Sequence, residues 1–234
     1  MSRPLVVAAH GTASLEGQAA VRECAARAMA VLGMAGPPVV GYVDVCGPTL
    51  EEVLGDVEDP VVVPYFLASG YHVKHDVPSA TEQSPGALVT TALGVEPEVL
   101  DAVTDRVRES LGADGPDDAA PAVEAVLLLG AGSSVDSARA EVADVAAQVA
   151  GRFGAASGTA FLSGPGPRPA DELARLRAQG HTRIAVAAHL LSPGFFLDRA
   201  HQVAVEAGAQ PTAPLGTHPL LGALVARRYR EALA

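Results

Sequence analysis

Two histidines, a carboxylate and a lysine in the first half of this chain follow short apolar runs, where a parallel sheet would deliver them to one edge. His10 follows Leu5–Ala9 and precedes Gly11-Thr12; Asp44 lies at the end of the run that starts at Val39; His72 and Lys74 lie in Phe66–Pro78, directly after Val61–Tyr65. Imidazole suits two tasks there: it ligates a divalent first-row metal, and with an unperturbed pKa of about 6.5 it takes up protons at neutral pH. A neighbouring carboxylate can orient the ring or share the metal. The spacing matches no His-Glu-x-x-His zinc motif, no P-loop, no dinucleotide fingerprint and no Gly-x-Ser-x-Gly nucleophile motif.

The surrounding elements are legible. Leu5–Ala9, Val39–Val45 and Val61–Tyr65 read as buried strands, with Ala87–Leu93 a weaker fourth. Leu15–Leu32, Thr49–Leu54 and Pro97–Leu111 show helical spacing, the last opened by Pro97 in its first turn. Strands alternating with helices imply an α/β fold with a parallel sheet.

The second half repeats the order at an offset near 120 residues. Val126–Leu129 followed by Gly132-Ser133-Ser134 mirrors Val6–Ala9 followed by Gly11–Ser14, and Ile184–Leu197 mirrors Val61–Val73. Gly94–Leu111 matches Gly216–Leu233 without a gap, sharing 7 of 18 positions. The sequence therefore predicts two duplicated domains, 1–114 and 121–234, joined by a linker over Gly112–Pro121. Aligned through the following glycine, His10 faces Ala131, and His72 faces Phe196. A purely architectural histidine should recur in both copies, whereas a site used once need stand only once. His75, opposite Arg199, reads as a helix-start or surface residue; His189, opposite Phe66, reads as a core or cleft residue.

With 234 residues, 49% hydrophobic content and few aromatics, the chain has material for a core of Ala, Val and Leu. No apolar run is long enough to span a membrane, and the N-terminus reads as a first strand and not a signal peptide, so a cytoplasmic protein is expected. Two cysteines imply no disulfide framework. The net charge of −11 argues against nucleic acid or an anionic membrane as partner. The charge is uneven: residues 1–114 hold 6 basic against 16 acidic side chains, residues 115–234 hold 10 against 11.

The segments His10-Gly-Thr and Pro64–Pro78, together with the duplicated layout, resemble the sirohydrochlorin chelatases of the CbiX/SirB type, the class II chelatases. The resemblance implies a chelatase-like fold with the active-site cleft between the two domains. It implies ATP-independent insertion of a divalent metal, Fe²⁺ or Co²⁺ as substrate, into sirohydrochlorin, with no organic cofactor. Iron, for siroheme, comes first, favoured by the absence of a histidine-rich tail; cobalt, for cobalamin, is the alternative, and a non-catalytic tetrapyrrole or metal carrier is a reading of another class. His10 and His72 match the family's active-site histidines and are expected to be catalytic and to meet the metal. Asp44 stands where the family usually has Glu, one methylene shorter. Lys74, Arg183 and Arg199 are expected to hold the carboxylates of the tetrapyrrole, since guanidinium forks pair with carboxylates. A monomer or a homodimer is compatible with duplication.

Overall fold

The computed structural model describes residues 3–112 and 122–234. Apart from Gly112, the expected linker lies outside the described residues. In the first half, β1 (Leu5–Ala9) is followed by α1 (Leu15–Leu32), β2 (Val39–Tyr42), α2 (Leu50–Asp56) and β3 (Val61–Pro64). Two short helices come next, α3 (Tyr71–Lys74) and α4 (Asp76–Thr81), then β4 (Leu88–Val89) and α5 (Pro97–Ser110). The second half runs β5 (Ala125–Gly130), α6 (Asp136–Arg152), β6 (Ala156–Phe161), α7 (Pro169–Ala178), β7 (Ile184–His189), α8 (Phe195–Glu206) and α9 (Pro219–Glu231).

These strands form two parallel sheets, ordered β2-β1-β3-β4 and β6-β5-β7. The central strands β1 and β5 are buried at every residue, as continuous Val, Leu and Ala runs covered on both faces should be. Val7 pairs with Val40 and Val63, and Leu128 with Thr159 and Ala187, all in parallel, so within each sheet the carboxyl ends lie along one edge. Local chemistry sets the helix starts: the Ser14 hydroxyl accepts from Gly17 N at 3.1 Å to begin α1, and Thr49 and Glu52 form a reciprocal capping box at α2.

Two strand ends differ from the sequence reading. β2 stops at Tyr42, three residues short of Val45, because Val45 takes a left-handed backbone (φ 65°) and its N–H turns back to the Asp44 carboxylate at 2.7 Å. The run Ala87–Leu93 contributes only Leu88–Val89, paired to Val61–Val62 at the sheet edge.

The two halves exchange their last helices. The C-terminal helix α9 packs on α1 and β3 of the first half, while α5 packs on β7 and α6 of the second. The matched segments of the repeat are thus the ones that cross over, and one core cluster runs through both halves, from Val7, Val63 and Val103 to Leu128, Val145 and Leu224. Arg227 ties α9 to the start of α5 through Glu96 and Glu98, both at 2.8 Å. The consequence for the site is that the two sheets are held against each other by shared helices as well as by the chain between them.

Candidate active site in the cleft between the sheets

His10 leaves the carboxyl end of β1 as an exposed side chain, with Nδ1 3.1 Å from the Gly11 carbonyl. The backbone around it is fixed by a close approach. Gly11 adopts φ 100°, a Cβ there would lie 2.0 Å from the Asp44 carbonyl, and Asp44 N–H donates to the His10 carbonyl at 2.9 Å. The second copy repeats this joint: Gly132 has φ 119°, its Cβ would lie 2.1 Å from the Ser163 carbonyl, and Ser163 N–H donates to Ala131 at 2.9 Å. The joint belongs to the fold and recurs; the histidine belongs to one copy. Gly11→Ala is therefore expected to destabilise the protein by at least about 2 kcal/mol, read from the urea midpoint, because only glycine fits that backbone and contact.

His72 projects from α3. Its Nδ1 lies 2.5 Å from Asp76 Oδ2, one helical turn on, and its ring stands edge-on to His10 with centroids 4.5 Å apart. Phe66 lies roughly parallel to it at 6.2 Å. With Nδ1–H donating to a carboxylate in His72 and to a carbonyl in His10, both neutral rings carry their lone pair on Nε2. Neither Nε2 has a hydrogen-bond partner among the described residues. Two bare imidazole nitrogens from facing elements can together meet one cation at metal–nitrogen distances of about 2 Å, or accept protons from a bound molecule. Among the described residues no group of three or more His, Cys, Asp or Glu is arranged to hold a metal.

The structure distributes the other expected residues differently. Asp44 is exposed, spends its carboxylate on the Val45 N–H, and does not line the cleft; Ser163, its counterpart, likewise bonds local backbone, to Ala131 at 2.7 Å. The carboxylate that orients an imidazole is Asp76, which sequence reading passed over although the His72-to-Asp76 spacing of four on a helix was its signal. Arg183 precedes β7 and so sits at the amino edge of its sheet, away from the cleft, paired with Glu124 at 3.1 Å. Arg199 lies over the Phe195 ring at 5.7 Å and lines a separate surface depression. Lys74 reaches across to Ser137 of α6 at 2.9 Å, joining the halves at the cleft rim. His75 is exposed, makes no capping bond, and rests against Tyr71 at 4.5 Å.

Between the carboxyl ends of the two sheets lies a cavity of about 740 Å³, within the usual size range of small-molecule sites. His10, His72 and Phe66 come to it from the first half; Ser133, Arg139 and His189 come from the second. Arg139 is the basic side chain that the sequence reading missed: it leaves the first turn of α6 and is anchored by Asp136 and the Ser133 carbonyl. Tyr71 and Phe195, both more than half exposed, stand at the mouth.

His189 is 3% exposed, and neither ring nitrogen has a hydrogen-bond partner. Burial pushes its pKa from 6.5 down to about 4, against a smaller upward pull from the Leu67 backbone. Between those values the unfolded chain binds a proton that the folded chain refuses, so stability is full above pH 6.5 and is lost as pH falls toward 4. The loss approaches about 3 kcal/mol for this one group. Urea midpoints of the wild type and His189→Phe between pH 7 and 4 should diverge accordingly, the variant showing the flatter profile.

A two-lobed α/β molecule with paired parallel sheets, a shared core and one cleft carrying a histidine pair has the architecture of the chelatases. The chain belongs to the CbiX family, whose profile matches residues 4–110 and again 125–232. The fold is shared with SirB from Bacillus subtilis with Fe³⁺ (22% identity, TM-score 0.73, 100% of this chain and 96% of that one). It is shared equally with CbiX, described as the terminal enzyme for biosynthesis of siroheme in denitrifying bacteria (19% identity, TM-score 0.73, 99% and 100%). A sirohydrochlorin cobaltochelatase of Methanopyrus kandleri is 28% identical over 104 residues, covering 31% of this chain and 73% of that protein. One from Methanothermobacter thermautotrophicus is 27% identical over 101 residues, covering 32% and 71%.

Proposed function

We propose that this protein inserts a divalent metal into sirohydrochlorin, with Fe²⁺ the first metal and Co²⁺ the alternative, and that neither ATP nor an organic cofactor takes part. The observation that carries this reading is the His10–His72 pair, whose rings stand 4.5 Å apart on one wall of a cavity large enough for a macrocycle. Insertion exchanges two pyrrole N–H protons for one M²⁺. The bare Nε2 atoms of His10 and His72 meet the ion and hand it to the pyrrole nitrogens, and the lone pairs so freed take up the two departing protons, one on each ring, with Asp76 balancing the charge that His72 gains. A two-histidine site binds the ion loosely enough to release it, unlike a closed four-ligand zinc cage.

Residues 1–114 then supply the chemistry, and residues 121–234 supply the opposite wall, where Arg139 faces the polycarboxylate substrate. Iron is supported by the Fe³⁺-bearing SirB and the siroheme enzyme among the structural neighbours, cobalt by the names of the two curated relatives. The test is an anaerobic assay of the purified protein with sirohydrochlorin and Fe²⁺, Co²⁺ or Ni²⁺, followed by absorbance. Catalytic turnover with rates ordered Fe²⁺ above Co²⁺ is expected. Stoichiometric binding without rate enhancement would make the protein a carrier.

A further inference from the structure

His189 is a buried titratable side chain on the cleft wall for which metal insertion as outlined has no role, and unlike buried Tyr65 beside it, it has no internal hydrogen-bond partner among the described residues. It closes β7 in register with Gly130 of β5, lines the same cavity as His10 and His72, and leaves both ring nitrogens unpaired. An unpartnered polar ring in an interior is costly, and such groups call for a partner that arrives from outside. The fold itself does not require imidazole there. In the first copy the equivalent place, one residue beyond the Ala8–Pro64 pair, is held by Tyr65, whose hydroxyl reaches the Gly216 carbonyl at 3.5 Å, whereas the imidazole has no such partner.

We propose that His189 is a contact for the bound tetrapyrrole, its ring N–H donating to a carboxylate on the rim of the macrocycle; this rests on the chelatase reading above. A neutral imidazole always has one N–H to give, and a polycarboxylate ring brings acceptors into the cavity. The contact comes from the half of the chain that lacks the histidine pair, and Arg139 lines the cavity from the same half. The second half thus grips the rim while the first half works at the centre. The contact also accounts for an imidazole without an internal partner standing where the repeat places a tyrosine that has one.

The experiment measures binding of metal-free sirohydrochlorin, by its own fluorescence under anaerobic conditions, to the wild type, His189→Phe and His189→Gln, with a Tm for each. His189→Phe is expected to keep or raise Tm while weakening binding by about tenfold or more, the loss typical of a hydrogen bond to a charged group. His189→Gln, which retains an N–H donor, should recover part of the affinity. Wild-type affinity in a folded apolar variant (His189→Phe, or His189→Leu if the first does not fold), a glutamine variant that binds no better than the apolar one, or a Tm several degrees lower with unchanged affinity would make His189 a core residue and overturn the inference alone. A wild type that binds no sirohydrochlorin would overturn the chelatase reading and this contact with it.

Discussion

Alanine at His10 or at His72 is expected to slow metal insertion by about a hundredfold or more, the usual range for loss of a positioned proton acceptor. The fold should survive both changes. His10 is exposed, and its counterpart in the second copy is already Ala131, on the same Gly-bearing joint. His72 is part-exposed on a four-residue helix, and its counterpart is Phe196. The rings meet in a T-shaped contact, so they act as a unit, and the double variant should lose little beyond either single one. Initial rates with sirohydrochlorin and Fe²⁺, alongside circular dichroism, check this. Activity persisting in both single variants would remove the histidine pair from the reaction and leave the fold untouched.

Much of this was legible in the chain because the duplication supplies an internal comparison. The Val, Leu and Ala runs marked the central strands, and Pro97 marked a helix start, since these are local effects of burial and backbone restriction. The contrast of His10 with Ala131 and of His72 with Phe196 marked two residues that the structure brings together from separate elements. What escaped was set by packing between distant segments. The exchange of α5 and α9 leaves no trace in either half alone, because each helix presents the same apolar stripe to either sheet. Arg183 and Arg199 align with the motif loop in sequence, yet one lies at the wrong end of a parallel strand and the other outside the cavity. Arg139 carried no motif at all; only the folded position of α6 turns it toward the cleft. Asp44 lies outside the cavity lining for a local reason: a carboxylate beside a tight turn satisfies the backbone first.

Asp76→Asn is expected to lower activity by about 10- to 100-fold, the scale seen when a carboxylate partner of a ligating histidine is lost. The tautomer of His72 is what changes. With Asp76 ionised, His72 Nδ1 must donate, so the proton sits on Nδ1 and the lone pair faces the cleft from Nε2. An asparagine can turn its amide NH₂ toward Nδ1, which then accepts, moving the ring proton to Nε2 and closing the lone pair to metal and substrate protons alike. The variant should therefore lose kcat more than substrate affinity and bind Fe²⁺ or Co²⁺ more weakly, measured by steady-state kinetics and by metal titration. Asp44→Ser is the contrasting variant, because serine is what the second copy places at that turn, as Ser163, and the carboxylate touches only the Val45 N–H. Its kinetics should stay within about twofold of the wild type, because the Asp44 N–H that holds the His10 carbonyl is backbone and survives the change. If Asp44→Ser instead carries the large loss and Asp76→Asn is silent, the orienting carboxylate is Asp44 after all, and the loop bearing it must swing toward His10 when substrate binds.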